Sequence, residues 1–389
     1  MNFNYYIPTR LLFGKGKLNE LHQQSLPGEK ALIVISSGKS TRENGYLARV
    51  EEQLDLAGIK HCVFDKILPN PIKKHVMEGA SFARDNQCDF VIGLGGGSSI
   101  DAAKAIAVMA TNEGDYWDYV SGGTAKGKTV PNQPLPIIAV TTTAGTGTEI
   151  DPWTVTTHEE NSEKIGFGYD ALFPVIAVVD PDLMLTVPPT LTAYQGFDAL
   201  FHSTEGYIAK VANPISELYS LKAIELIGKS LVKAVADGRN ENARADVALA
   251  NTLSGMVEST SCCISEHSLE HALSAYHHQL PHGAGLIMIS LAYYKKLIDK
   301  GACPDRFIAM AKALGKSEAT APMDFVAALA KLQEDCHVAN LKMSDYSIEK
   351  DNLRKYAVNA RRTMGGLFDL DPVNLTEEDC IDILTESYR

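Results

Sequence analysis

The chain has 389 residues and is short of positive charge, of paired cysteine motifs and of long apolar runs. Each shortage excludes a class of protein. There are 36 Lys and Arg against 48 Asp and Glu, a formal net charge of −12. A protein that wraps nucleic acid needs a basic face to neutralise phosphates, and no Lys/Arg cluster here supplies one. The acidity serves solubility instead. The seven cysteines are odd in number and contain no C-x-x-C, only the adjacent pair Cys262-Cys263. Neither a disulfide framework nor a zinc ribbon is indicated, so reduced thiols in a cytoplasmic protein are expected. Residues 1–14 lack the charged stretch and apolar core of a signal peptide. No apolar run approaches the length that crosses a bilayer, so no membrane role is expected.

Apolar residues make up 45% of the chain and charged residues 22%, enough material for two cores. Residues 31–35 form a β-branched run ending in a Ser/Gly turn, and a helical stretch follows at 46–56, closed by Gly58. Residues 90–94 form a second strand that runs into three glycines, and a helix continues to about 109. Residues 135–140 and 175–179 read as further strands, and 121–134 as a loop. Near-continuous apolar strands alternating with helices predict a parallel sheet covered on both faces. Beyond residue 187 strand signals vanish, and helical spacing takes over, as at 219–235 and 243–257. The expected architecture is an α/β Rossmann-like nucleotide-binding domain over 1–187 and an all-α domain over 188–389, with a cleft between them.

Two strand-end loops carry ligand-binding chemistry. In Gly95-Gly96-Gly97-Ser98-Ser99-Ile100-Asp101 the glycines let backbone N–H groups approach a ligand without an intervening Cβ. Ser98 is placed as helix N-cap with Asp101 in the capping-box position. Free amides at a helix N-terminus favour an anion such as a pyrophosphate, although a tight structural turn has the same composition. No Gly-Lys-[Ser/Thr] ends the loop, so it is not a P-loop, and it is not a strict G-x-G-x-x-G. The second loop, residues 141–149, holds five hydroxyls and two glycines. Two such loops in one α/β domain point to a dinucleotide. After the first strand an acidic residue would chelate the ribose hydroxyls of NAD. This chain has Gly38, Lys39 and Ser40 there and no carboxylate, which suits the 2′-phosphate of NADP(H).

Of 11 histidines, six fall between residues 202 and 282. Asp198 and His202, and likewise His267 and His271, have the i, i+4 spacing that places two side chains on one helix face. His282, in a Leu-Pro-His-Gly turn, can swing back towards them. One carboxylate and three imidazoles from this set suit Fe(II), Zn(II) or a similar divalent ion. His277 and His278 are adjacent, diverge on any regular element, and read as rim residues.

These segments together resemble the iron-containing, group III alcohol dehydrogenases. The similarity lies in Gly-Gly-Gly-Ser-Ser-Ile-Asp-Ala-Ala-Lys at 95–104 and Thr-Thr-Ala-Gly-Thr-Gly-Thr-Glu at 142–149. It continues in Asp-Pro-Asp-Leu-Met at 180–184, Gly-Phe-Asp-Ala-Leu-Phe-His at 196–202, and the histidine segment 267–285. Order and spacing agree over nearly the whole chain. The resemblance implies an NAD(P)-dependent alcohol dehydrogenase (EC 1.1.1.-), in which hydride passes between the nicotinamide and a small alcohol or aldehyde. It implies Asp198, His202, His267 and His282 as metal ligands, and His271 as a substrate-side residue able to relay a proton. It implies Gly96, Gly97, Ser98 and Asp101 at the pyrophosphate and nearby ribose, and Thr142, Thr143 and Lys164 on the cofactor. Gly38, Lys39 and Ser40 resemble the NADP-preferring ribose turn. Fe(II) is the metal implied, with Zn the alternative, and a homodimer or higher homo-oligomer the usual state.

Three departures mark this chain: Ser268 where members often have Gly, a longer tract between His271 and Pro281, and Leu-Phe-Asp-Leu-Asp after Gly365-Gly366 in place of Asn-Pro-Arg. Competing readings are a zinc-dependent glycerol-type polyol dehydrogenase, a lyase of the dehydroquinate synthase type, and a non-catalytic NADP(H)-binding protein. The first typically lacks one of the histidines, and the second needs basic residues that the helical half does not show.

Overall fold

The computed structural model describes residues 2–389, which divide into two compact units. One comprises Ile7–Thr143 and Thr148–Thr186. The other comprises Val187–Arg389 with Ala144–Gly147 and the N-terminal residues up to Tyr6.

The first unit contains β1 (Arg10–Phe13), β2 (Lys30–Ser36), α1 (Ser40–Glu43), α2 (Tyr46–Leu56), β3 (Lys60–Ile67), α3 (Lys73–Asp85) and β4 (Phe90–Gly95). It continues with α4 (Gly97–Thr111), β5 (Ile137–Thr141), β6 (Trp153–His158), β7 (Glu163–Gly168) and β8 (Ile176–Val179). Six strands form one sheet in the order β1-β8-β5-β4-β2-β3, and every pair is parallel. Parallel strands need crossover connections, so helices cover both faces and the central strands are apolar throughout. The sequence pattern shows the consequence: Ala31 to Ile35, Phe90 to Leu94 and Ile137 to Val140 are all buried. Alternate side chains enter two separate cores. Leu32, Val34 and Val91 join one, and Ala31, Ile33, Ile35, Ile92 and Leu94 the other. β6 and β7 form a separate antiparallel hairpin.

The second unit is helical: α5 (Pro189–Ile208), α6 (Pro214–Ala236), α7 (Glu241–Thr260), α8 (Ser265–Tyr276), α9 (His282–Asp299), α10 (Pro304–Ala313), α11 (Met323–Asp335), α12 (Leu353–Asp369) and α13 (Glu377–Ser387). Several starts are written in the sequence. Pro189 and Pro214 open their helices at a position where the missing N–H is no loss, and Asn213 caps α6 by accepting from Ile215 N and Ser216 N. α12 is broken at Met364, whose φ of −130° and ψ of 41° are not helical. Among the described residues no helix is long and apolar enough to cross a membrane.

Candidate active site

In the first unit, β4 delivers the glycine turn. Gly95 has a φ of 144°, and a Cβ there would lie 2.6 Å from Ser99 Oγ, so glycine alone fits. The turn then opens α4 at Gly97 with Gly96 as N-cap. Ser98 does not cap the helix as its sequence position suggested. It lies inside the first turn, and its hydroxyl donates to Pro69 O. Thr143 flanks the turn closely, since a Cβ on Gly96 would meet its Cγ2 at 3.1 Å, and Thr142 N donates to Gly95 O at 2.9 Å.

Asp101 does not reach back to the turn either. One carboxylate oxygen accepts from Thr148 Oγ1 at 2.7 Å and the other from Val155 N at 2.9 Å. The capping-box reading fails because a helix starting at Gly97 leaves Asp101 past its N-terminal turn, facing the Thr148 segment and β6. Beside it Lys104, with no exposed surface, donates to Thr148 Oγ1 (2.7 Å), Asp151 O (2.8 Å), Asp151 Oδ1 (3.1 Å) and Trp153 O (2.7 Å). Burial raises the Asp101 carboxyl, opposed by Lys104, Thr148, the Val155 amide and Lys164. Burial likewise lifts Asp151 to about 7 against the pull of Lys104. Lys164 is buried on β7, opposite Thr157. Gly38, Lys39 and Ser40 follow β2 and are exposed.

In the second unit, three helices converge on one point. Asp198 and His202 lie on one face of α5, as their spacing predicts, and Glu205 continues that face at i+7. α8 presents His267, Glu270 and His271 by the same periodicity. His282 is the first residue of α9. It arrives because Gly283 packs against the backbone of Tyr194: a Cβ there would come within 2.2 Å of Tyr194 O. Asp198 Oδ1 lies 3.8 Å from His202 Nε2, 3.6 Å from His267 Nε2 and 3.4 Å from His282 Nε2. The rings of His202 and His267 stack at 4.4 Å. His271 stands at the margin, its ring 5.3 Å from that of His282. His277, at the end of α8, bonds instead to the Tyr356 hydroxyl at 2.7 Å.

This donor set fits a cation. Asp198 Oδ1 and His267 Nε2 are buried and have no hydrogen-bond partner, an arrangement that is costly unless a positive charge sits among them. Ligand atoms of Asp198, His267 and His282 lie within 4.8 Å of one another. Burial pushes the Asp198 carboxyl upward, but the imidazoles of His202, His282 and His267 outweigh it and hold the group well below the usual range. Burial lowers His202 to about 3, so it is neutral and offers a lone pair. His267 is drawn the other way: burial lowers it, yet Glu205 and Asp198 together hold it well above its ordinary value.

Sequence reasoning missed the groups behind these imidazoles. Glu205, fully buried, accepts from His267 Nδ1, and Glu270, also fully buried, accepts from His282 Nδ1. Such carboxylates fix the tautomer and leave Nε2 available to a metal ion. The available signal was the i+7 and i+3 placement of these acids on already suspect faces. Also missed was Met364. The Ser268 hydroxyl donates to Met364 O at 3.0 Å, and Met364 Sδ lies 2.9 Å from His271 Nδ1. One of the chain's departures, Ser268, therefore bonds to Met364, the residue whose thioether sits beside His271.

Comparison with known proteins agrees. Residues 8–181 match the family described as iron-containing alcohol dehydrogenase, and residues 192–388 match the C-terminal part of the Fe-containing alcohol dehydrogenase family. The chain is 32% identical over 388 residues to alcohol dehydrogenase 4 of Saccharomyces cerevisiae strain YJM789, covering 99% of this chain and 98% of the relative. It is 34% identical over 342 residues to 1,3-propanediol dehydrogenase of Klebsiella pneumoniae, covering 86% of each. The crystal structure of ADH/D1, an archaeal halo-thermophilic alcohol dehydrogenase from a Red Sea brine pool, bound to NZQ, superposes with a TM-score of 0.95 at 32% identity, covering 100% of this chain and 99% of that one. With both halves matched in order, the chain belongs to the iron-containing alcohol dehydrogenase family and is an alcohol dehydrogenase.

Proposed function

We propose that the chain interconverts short-chain aldehydes and alcohols with NADP(H), using Fe(II) held by Asp198, His202, His267 and His282. Residues 1–187 bind the dinucleotide in this reading, and residues 188–389 carry the metal and the substrate. The observation that carries it is the pair of buried, partnerless ligand atoms, Asp198 Oδ1 and His267 Nε2.

A bound ferrous ion supplies positive charge that polarises the substrate oxygen. The chain's own residues do the rest. Glu205 and Glu270 hold the Nδ1 protons of His267 and His282 and so keep Nε2 available to the ion. A thioether accepts and never donates, so His271 donates from Nδ1 to Met364 Sδ and keeps its acceptor at Nε2. That places Nε2 to take the proton an alcohol releases on oxidation, and a bound nicotinamide would serve as the hydride acceptor. The N-terminal amides of α4, with Gly96, Gly97 and Ser98, receive the pyrophosphate. Thr142, Thr143 and Lys164 complete the cofactor contacts, and Asp101 acts by holding the Thr148 and Val155 segment in place. Lys39, with Gly38 and Ser40, exposed after β2, would hold the 2′-phosphate.

The test is reduction of a short aldehyde panel with NADPH and with NADH, in the wild type and in Lys39→Glu. The expected result is at least about tenfold higher kcat/KM with NADPH, a preference lost in the variant, as follows from removing one charge-assisted contact. Equal use of both cofactors by the wild type overturns the NADP(H) assignment. No turnover with either overturns the reading as a whole.

A further inference from the structure

Outside both sites, two thiols lie in contact. Cys62 Sγ, on β3, is 3.4 Å from Cys88 Sγ, in the turn between α3 and β4. The residues are 26 apart in sequence, and β2 runs between their strands in the sheet order. Contact is thus made by the fold and not by sequence adjacency. The two thiols differ in exposure: Cys62 is half-buried and Cys88 buried.

We propose that Cys62 and Cys88 form a dithiol modification site that low-molecular-weight disulfides oxidise reversibly. Cys62, the accessible member, attacks one sulfur of the disulfide; its S–S bond breaks, one thiol leaves, and a mixed disulfide stands on Cys62. Cys88 then attacks the Cys62 sulfur, releasing the second thiol and closing the Cys62–Cys88 bond. The protein loses two electrons and two protons, and one disulfide becomes two thiols.

The electrostatics agree with that order. Its hydrogen bond with Cys88 lowers Cys62 to about 7 against the effect of burial, and Lys30 adds to the lowering. Cys88 is held far above its ordinary value by the same contact and by burial. Thiolate character and access therefore coincide on Cys62, the combination that marks a reactive cysteine. A contact distance of 3.4 Å leaves little backbone movement before a bond can form. The bond would tie β3, an edge strand held by β2 alone, to the turn that feeds β4. Neither residue belongs to the metal or cofactor machinery, so the site is independent of the reaction.

The full-length holoprotein is equilibrated in oxidised and reduced glutathione at a series of ratios, acid-quenched, alkylated, and read by intact mass and peptide mapping. The expected result is loss of two hydrogens, a linked Cys62–Cys88 peptide pair, and full reversal by dithiothreitol. Cys62→Ser abolishes the link, and Cys88→Ser retains glutathione on Cys62 because nothing resolves the adduct. Either of two results overturns the proposal: alkylation of both thiols in wild-type protein at every ratio, or a Cys88→Ser protein whose Cys62 takes up no more glutathione than the other cysteines.

Discussion

Replacing Glu205 by Gln tests the reasoning about the metal centre without touching a ligand. The Glu205 side chain has no exposed surface and accepts three times: one oxygen from His267 Nδ1, the other from Ile264 N at 2.7 Å and, at 3.5 Å, from His267 N. Glutamine is isosteric but carries one donor end, so it must turn its NH2 towards either His267 or the Ile264 amide. At least one charge-assisted bond is lost, a change of about 1.5–3 kcal/mol. The negative charge behind His267 is lost with it, and His267 becomes a weaker donor at Nε2. Loss of such a partner weakens metal binding about 10–100-fold, or ~1.4–2.7 kcal/mol, in agreement with the hydrogen-bond figure. The assay is competition of Fe(II) or Zn(II) against a chromophoric chelator under anaerobic conditions, with thermal melting of the metal-free protein to show that the fold is retained. Affinity within about threefold of wild type, in a variant that melts normally, refutes the claim that Glu205 works through His267.

Three further outcomes are expected. Lys104→Met strands the buried Asp151 carboxylate and removes the three ammonium N–H donors that four acceptors share, so denaturant titration should show a loss of about 3–5 kcal/mol; a loss under about 1 kcal/mol contradicts the buried network. Metal affinity should depend on pH with a definite sign. The metal-free protein holds an extra proton on His267, raised above its ordinary value, while His202 at about 3 holds none near neutrality. The ion must displace that proton, so affinity measured by chelator competition rises with pH through the neutral range, and an affinity that is flat or falls contradicts the assignment. By the same sign, stability of the metal-free protein gained from the His267 proton is present below the ordinary histidine value and lost as pH climbs through the raised one. His271→Gln should lower kcat about 10²–10³-fold and flatten the pH profile while metal content is unchanged; an unaltered pH profile removes the proton-relay role.

Strands β2, β4, β5 and β8 were legible because strands buried on both faces read as continuous apolar runs. β3 was not: it is an edge strand with an exposed Lys60 and exposed Asp65 and Lys66, and its pattern resembles a polar connection. The β6–β7 hairpin hid for another reason, since Thr154, Thr156 and Thr157 are buried hydroxyls where a strand signal expects aliphatic side chains. The shared faces of Asp198 and His202 on α5 and of His267 and His271 on α8 were legible from helical spacing, and the family resemblance supplied the proposed ligand set. Glu205 and Glu270 were not, because an acid on a helix normally faces water and only the tertiary fold shows both fully buried. Asp101 misled in the opposite direction. Its capping-box spacing is real in the sequence, but the N-cap lies two residues earlier, at Gly96, and Thr148 and Val155 claim the carboxylate. The break at Met364 coincides with the bond from the Ser268 hydroxyl to Met364 O and has no counterpart in the local pattern beyond the two glycines after it.

The most direct test of the account is metal content measured on anaerobically purified protein, wild type beside Asp198→Ala. Asp198 lies within 3.8 Å of all three imidazoles, so its loss dismantles the set at its centre. The account predicts about one ferrous ion per wild-type chain, as a four-donor site implies, lost together with aldehyde reduction in the variant. A wild-type protein that turns over without metal, or an Asp198→Ala protein that keeps its full iron content, contradicts it.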